Sequence, residues 1–263
     1  MKKSIRNYLL VILALAVGLV ICGCREKDAD VSIDKQETKV DETQIVELID
    51  SAEYKFERID ESIQEESGNV AVAWYFDKLV IGNSTPAAAI INADMDEKSA
   101  EFFSDSKKEE ITGYYNDHYN SEYGDQYLNT AEGAVAYNNA GVISVNYTYD
   151  WFMGGVHNIN YDGFTYDLNT GEKLYLADLL DGSDAEILAR IQNVYWEGVT
   201  EHYKPEELFE EAKETFEAKT LDDYKFFVGD GGEIYLIVDT YEFAPGSAGA
   251  YVFASGLFIS NIK

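Results

Sequence analysis

The sequence predicts an α+β fold in which antiparallel sheets pack against a few helices, and three observations carry that expectation. Apolar residues alternate with period two in several separate segments, apolar residues at helical spacing fill others, and the strand segments are joined by short turns with hairpin chemistry. Such turns are too short for the crossovers of a parallel α/β sheet.

Taken in order, Tyr54 and Phe56 begin a weak first strand. Val70, Val72, Trp74 and Phe76 then put one apolar face on a second, with Ala71, Ala73, Tyr75 and Asp77 on the other face. Glu66-Ser67-Gly68-Asn69 between them has turn chemistry, so the two segments form a hairpin. After the break at Gly82 to Pro86 the period changes. Residues 87 to about 120 hold no proline and one glycine, with Phe103, Ile111, Tyr115 and His118 near helical spacing, which predicts one long or broken helix. Tyr115, Tyr119, Tyr123 and Tyr127 recur every four residues. That stripe reads as a stacking platform for sugar rings or as a helix face packed on a sheet, and the second is the ordinary use of tyrosine at this spacing.

The clearest strand starts at Gly141, where Ile143, Val145, Tyr147, Tyr149 and Trp151 alternate with Ser144, Asn146, Thr148 and Asp150. Phe164, Tyr166 and Leu168 continue the sheet, Asn169-Thr170-Gly171-Glu172 turns the chain, and Leu174 with Leu176 resumes the alternation. Two helices are expected next. One is capped by Ser183 or Asp184 and buries Ile187, Ile191, Val194 and Tyr195; the other starts at Pro205, carries Glu206 and Glu207 in its first turn, and turns Leu208, Ala212 and Phe216 inward. Tyr224 to Val228, a turn at Gly229 to Gly232, Ile234 to Val238 and Tyr251 to Phe258 complete a β-rich end.

The start of the chain concerns location. Lys2, Lys3 and Arg6 precede an uncharged run from Leu9 to Ile21, followed by Cys22-Gly23-Cys24. This is the layout of a secretory signal, and the run is shorter than the about 20 apolar residues of a membrane span. A small residue before Cys24 suits cleavage and lipidation of a bacterial lipoprotein, which would hold the protein to the outer face of the cell membrane through Cys24. Residues 1–23 are then signal peptide and 24–44 a charged, acidic tether. Residues 45–150 are expected to form an N-terminal α+β module and 151–263 a C-terminal domain. Loss of residues 1–23 removes three basic side chains and no acid, moving the formal charge from −29 to −32. Such a surface repels nucleic acid and attracts cationic proteins and divalent ions. No cysteine follows Cys24, so no disulfide braces the folded part.

No catalytic constellation is legible, and the expected activity is binding, not catalysis. The histidines His118, His157 and His202 are far apart in sequence and make no H-E-x-x-H pair, so neither a metal nor another cofactor is expected. Asn92, Asp94 and Asp96 imitate the start of a calcium loop, but Glu97 stands at the turn-glycine position and Phe103 at that of the bidentate glutamate. Weak calcium binding elsewhere on so acidic a chain is left open. Ser247 lacks the nucleophile-elbow glycine two residues before it, where Pro245 stands. The alternative to a binding protein is an envelope hydrolase with a carboxylate pair that sequence alone does not pick out.

The run Tyr147 to His157, with its Gly154-Gly155-Val156-His157 end, and the following Asp167-Leu168-Asn169-Thr170-Gly171-Glu172-Lys173-Leu174 resemble a family of extracellular bacterial domains of unknown function. That family includes the outer part of lysozyme-sensing anti-sigma factors of the RsiV type. Tyr241-Glu242-Phe243-Ala244-Pro245-Gly246-Ser247-Ala248-Gly249 is similar to the family's second signature, with Gly246 where an aromatic is common. From about Ala52 the upstream part resembles the companion module that also precedes the catalytic domain of PdaC-type peptidoglycan deacetylases. The resemblance implies two partner-contacting loops, with Gly154, Gly155 and His157 in one and Tyr241, Pro245 and Gly246 in the other. It implies as partner a cationic muramidase such as lysozyme, or peptidoglycan itself. With only Met1 to Tyr8 ahead of the apolar run, no anti-sigma role is expected, and no deacetylase domain is expected either.

Overall fold

The structure, a computed structural model, describes residues 48–82, 84–119, 126–155 and 157–260. The signal, Cys24 and the tether to Gln44 lie outside them, as do Tyr123 and Val156. The described residues belong to one packed unit, Val46–Lys263. It is α+β, with two sheets that are mostly antiparallel.

The larger sheet has six strands. β1 (Tyr54–Asp60) and the two-residue β2 (Ile63–Gln64) both pair antiparallel with β3 (Val70–Ile81), the expected hairpin. Its turn closes with Gly68 N donating to Glu65 O at 3.0 Å. The expected long helix is broken. Thr85 caps α1 (Pro86–Phe102) by accepting from Ala88 N, Pro86 supplies the pre-set φ of a first helical residue, and the chain bends at Phe103 and Ser104 into α2 (Asp105–His118).

The helix pair forms a crossover, so β4 (Tyr127–Asn139) returns parallel to β3, a departure from the wholly antiparallel expectation. β4 carried no strand signal in the sequence. At its centre a Cβ on Gly133 would meet the rings of Phe56 at 2.5 Å and Tyr147 at 2.9 Å. Tyr127, the last member of the tyrosine stripe, sits on this strand and not on a helix.

β5 (Val142–Phe152) and β6 (Asn158–Asp167) finish the sheet in the order β1-β3-β4-β5-β6. The boundary expected between residues 150 and 151 falls inside β5, where Asp150 and Trp151 pair with β4 on one side and β6 on the other. Leu174 and Leu176 do not continue the sheet. One bridge joins Tyr166 to Lys173, and Leu176 enters the single helical turn α3 (Leu176–Leu179). α1 packs Ala88, Ile91 and Met95 on Phe76, Ile143, Val145, Tyr147, Phe164 and Tyr166. α2 adds Ile111 to Val72, Trp74 and Tyr127.

The second sheet has three strands, β7 (Lys225–Val228), β8 (Glu233–Val238) and β9 (Tyr251–Phe258), in sequence order. α4 (Asp184–His202), capped by Ser183, covers it with Ile187, Ile191, Tyr195 and Val199. The helix expected from Pro205 is only a 3-10 turn at Pro205–Glu207; the helical face of Ala212 and Phe216 belongs to α5 (Ala212–Glu217). The two sheets touch where β7 crosses β6. A Cβ on Gly163 would lie 1.9 Å from Phe226 O, and nearby the Ser144 hydroxyl accepts from Val228 N at 2.9 Å. Among the described residues no helix is long and apolar enough to cross a membrane.

Candidate functional site

The start of β6 and the segment after β8 are joined by one hydrogen bond. Gly154 holds φ +82°, and a Cβ there would sit 2.8 Å from the Tyr127 hydroxyl, so backbone and packing both demand glycine. Gly155 has neither constraint and faces open space. His157 is exposed, and its Nε2 pairs with the carboxylate of Asp150. Its ring stands edge-on to Phe152 with centroids 5.9 Å apart.

The other loop rests on a buried ion pair. Glu242 pairs with Lys219, with side chains only 14% and 13% exposed, and also accepts from the Tyr195 hydroxyl and from Asp239 N, each at 3.0 Å. Lys219 lies over the rings of Tyr195 and Tyr224 at 5.3 and 5.1 Å, which supports its charge where water is scarce. Burial, and then the Glu242 carboxylate, push the Tyr195 phenol well up from its ordinary value, so it stays a donor. Above this base Tyr241 adopts φ +67° and is 59% exposed. Its ring occupies the space a side chain on Gly246 would need. Pro245 is exposed and leads the short turn Gly246–Ala248.

Thr240 joins the loops by donating from Oγ1 to Ile159 O at 3.4 Å. The structure therefore ties Thr240, the residue before Tyr241, to the strand that leaves His157, while Gly154 serves the turn's own packing. Sequence reasoning missed Thr240, Ile159 and Glu242. Glu242 gives no local signal, since a buried acid in a loop is marked only by partners far along the chain.

It also missed Asp162, although alternation along β6 places it inward with Phe164 and Tyr166. Burial raises its carboxyl above the ordinary range against the pull of Lys225 and Lys173, and Asp239 raises it further. Asp239 itself pairs with Lys225 at 2.8 Å.

Other sequence candidates have structural partners. Asn92, Asp94 and Asp96 lie within α1 and form no loop; they bond Ile81 N, the Tyr166 hydroxyl and Lys78 respectively. The three histidines have separate neighbours, with His118 beside Tyr114, His157 beside Phe152 and His202 stacked on Tyr251. Among the described residues no group of three or more His, Cys, Asp or Glu is placed to hold a metal ion. Tyr115, Tyr119 and Tyr127 pack ring to ring, and Tyr119 donates to Glu65 at 2.6 Å, a bond that pushes its phenol up to about 12. These three members of the stripe pack against one another.

No family model matches the chain, and neither does any curated protein. Among solved structures, a DUF3298 family protein from Pseudomonas aeruginosa PAO1 is similar over 79% of this chain and 92% of its own, with a TM-score of 0.50 and 16% identity. A DUF3298 family member from Bacteroides fragilis NCTC 9343 aligns over 81% and 95%, with a TM-score of 0.49 and 16% identity. The likeness to the Pseudomonas protein shows the fold, which is that of a domain of unknown function.

Proposed function

We propose that this chain is a lipid-anchored, extracytoplasmic binding protein of the bacterial cell envelope, with no catalytic role, and that its two-loop edge docks a cationic muramidase of the lysozyme type. The observation that carries the reading is the Thr240–Ile159 contact, which ties the residue before an exposed tyrosine in left-handed backbone to the strand that follows His157. An aromatic held out at a cost in strain is suited to anchor a partner. The formal charge of −29 supplies long-range attraction to a basic protein, and the resemblance of both loops to the RsiV-type family supports the same partner class.

Binding of lysozyme to the purified domain, measured from low to high salt, tests this. Charge steering fades as the Debye length falls from about 10 Å at 0.1 M to about 3 Å at 1 M. His157→Ala with Tyr241→Ala should weaken binding well beyond the effect of Glu206→Gln with Glu214→Gln, two exposed acids elsewhere. Equal binding by the loop variant at every salt concentration would refute recognition at this edge. For the anchor, labelled palmitate should enter the wild-type protein and not Cys24→Ser; absence of label from the wild type removes the lipid.

A second reading, an envelope hydrolase, is favoured by Asp162 alone, a largely buried carboxyl that burial raises above its ordinary value and that lies near Asp239. Hydrolysis of wall glycan that disappears in Asp162→Asn would put that reading first.

A further inference from the structure

We propose that the notch between α2 and the end of β5 is a saccharide subsite that takes one pyranose ring of a glycan chain. It shares the β5–β6 turn with the proposed docking edge but includes neither Tyr241 nor Gly246, and it rests on the envelope reading only for the natural source of its ligand.

The notch has a volume of about 190 Å³ and is lined by Tyr114, Trp151, Met153, Gly155 and Asn158. That is below the roughly 300–1,000 Å³ of sites that enclose drug-sized ligands, and it suits a single ring. The Tyr114 and Trp151 rings meet at 81° with centroids 6.1 Å apart, so two walls of the corner are aromatic. A pyranose presents a face of C–H groups, which the negative face of an aromatic ring attracts, while its equatorial hydroxyls need polar partners at the rim.

Those partners are present. Lys107, Glu110 and Tyr114 stand at i, i+3 and i+7 on α2 and so share one helical face. Lys107 lies 5.0 Å from the Trp151 centroid and pairs with Glu110 at 2.6 Å, the two side chains being 38% and 41% exposed. A surface ion pair of this kind contributes little to stability, and both ends remain able to bond sugar hydroxyls. Tyr114 is itself 38% exposed although its ring is apolar.

Gly155 supports the same assignment. Unlike Gly154, it has ordinary φ and nothing within 4 Å of a Cβ, so the fold does not require glycine there. A side chain at this position would add bulk to the wall of the notch.

The test is titration of the full exported domain with chitotriose, followed by calorimetry and tryptophan fluorescence. Saturable binding with a fluorescence change is expected, weakened at least about tenfold by Tyr114→Ala, equivalent to about 1.4 kcal/mol. Gly155→Leu should melt like wild type and bind no better than Tyr114→Ala. Trp151→Phe should lose the fluorescence response, since Trp74 and Trp196 lie elsewhere. Tyr241→Ala should bind sugar unchanged, which separates this site from the protein-docking edge. Absence of saturation in the wild type overturns the proposal. So does undiminished binding by folded Tyr114→Ala and Gly155→Leu, or a fluorescence response that survives in Trp151→Phe.

Discussion

The Tyr241 ring lies over Gly246 so closely that a Cβ on that glycine would fall 2.1 Å from Tyr241 Cζ. The pair explains why an otherwise awkward loop has a definite shape. Tyr241 stands in left-handed backbone, which costs an L-residue about 1–2 kcal/mol, and its ring is held over a position that lacks a side chain. The strain is held from below by Glu242, whose carboxylate bonds Asp239 N and pairs with Lys219.

Gly246→Ala is expected to displace the ring while leaving the fold in place, because the atoms in conflict are the far end of an exposed side chain. The melting temperature should change by no more than a few degrees, and affinity for the protein partner should fall about as far as in Tyr241→Ala. Calorimetry and a binding titration on the same preparations check both halves. Affinity equal to wild type would separate Tyr241 from the docking edge.

Removing one end of the buried pair should be far more costly. Glu242→Ala leaves the Lys219 charge without its partner where both side chains are about seven-eighths covered, and breaking such a pair costs about 3–5 kcal/mol. Chemical denaturation should show that loss, and the loop from Asp239 to Gly249 should become protease-sensitive. A loss of less than about 1 kcal/mol would mean that water reaches the pair freely.

Gly163→Ala tests the junction of the sheets. The conflict is with backbone, Phe226 O at 1.9 Å, so no side chain can swing away and β7 must move off β6. Overpacking of this kind costs about 1–3 kcal/mol and occasionally more. A drop in melting temperature of several degrees is expected, with Gly155→Ala unchanged as the control.

Asp162 predicts a pH dependence opposite to that of a paired carboxylate. Burial raises its folded pKa above the ordinary 3.8, so the unfolded chain releases this proton first and gains on the folded state as pH rises through that window. The penalty is complete at neutral pH and absent below the ordinary value. Asp162→Asn should therefore melt higher than wild type at pH 7 and lose that advantage in acid. A wild type that is more stable at pH 7 would show that Lys225 and Lys173 outweigh the burial.

Much of the fold was legible locally. The alternation of Val70 to Phe76 and of Ile143 to Trp151, the Ser183 cap and the Gly229 to Gly232 turn each reflect neighbours within a few residues, and each reappears in the structure. β4 was not legible, because Gly133 at its centre is matched to the rings of Phe56 and Tyr147 on other strands, a fit that no local pattern marks. The tyrosine spacing was misleading at its end for a related reason: Tyr119 closes α2 and Tyr127 opens β4, so a regular interval crosses two elements.

What the sequence determined by itself was the α+β class, the hairpin and turn segments such as Glu66 to Asn69, and the acidic charge with a lipoprotein-like start, since composition and short-range periodicity depend on no distant contact. Only the tertiary structure decided that Thr240 meets Ile159 across 81 residues, that Glu242 is buried against Lys219, and that Tyr114 on a helix forms a corner with Trp151 on a strand. Each of these joins residues whose separation along the chain has no period, and close packing of elements is what brings them together.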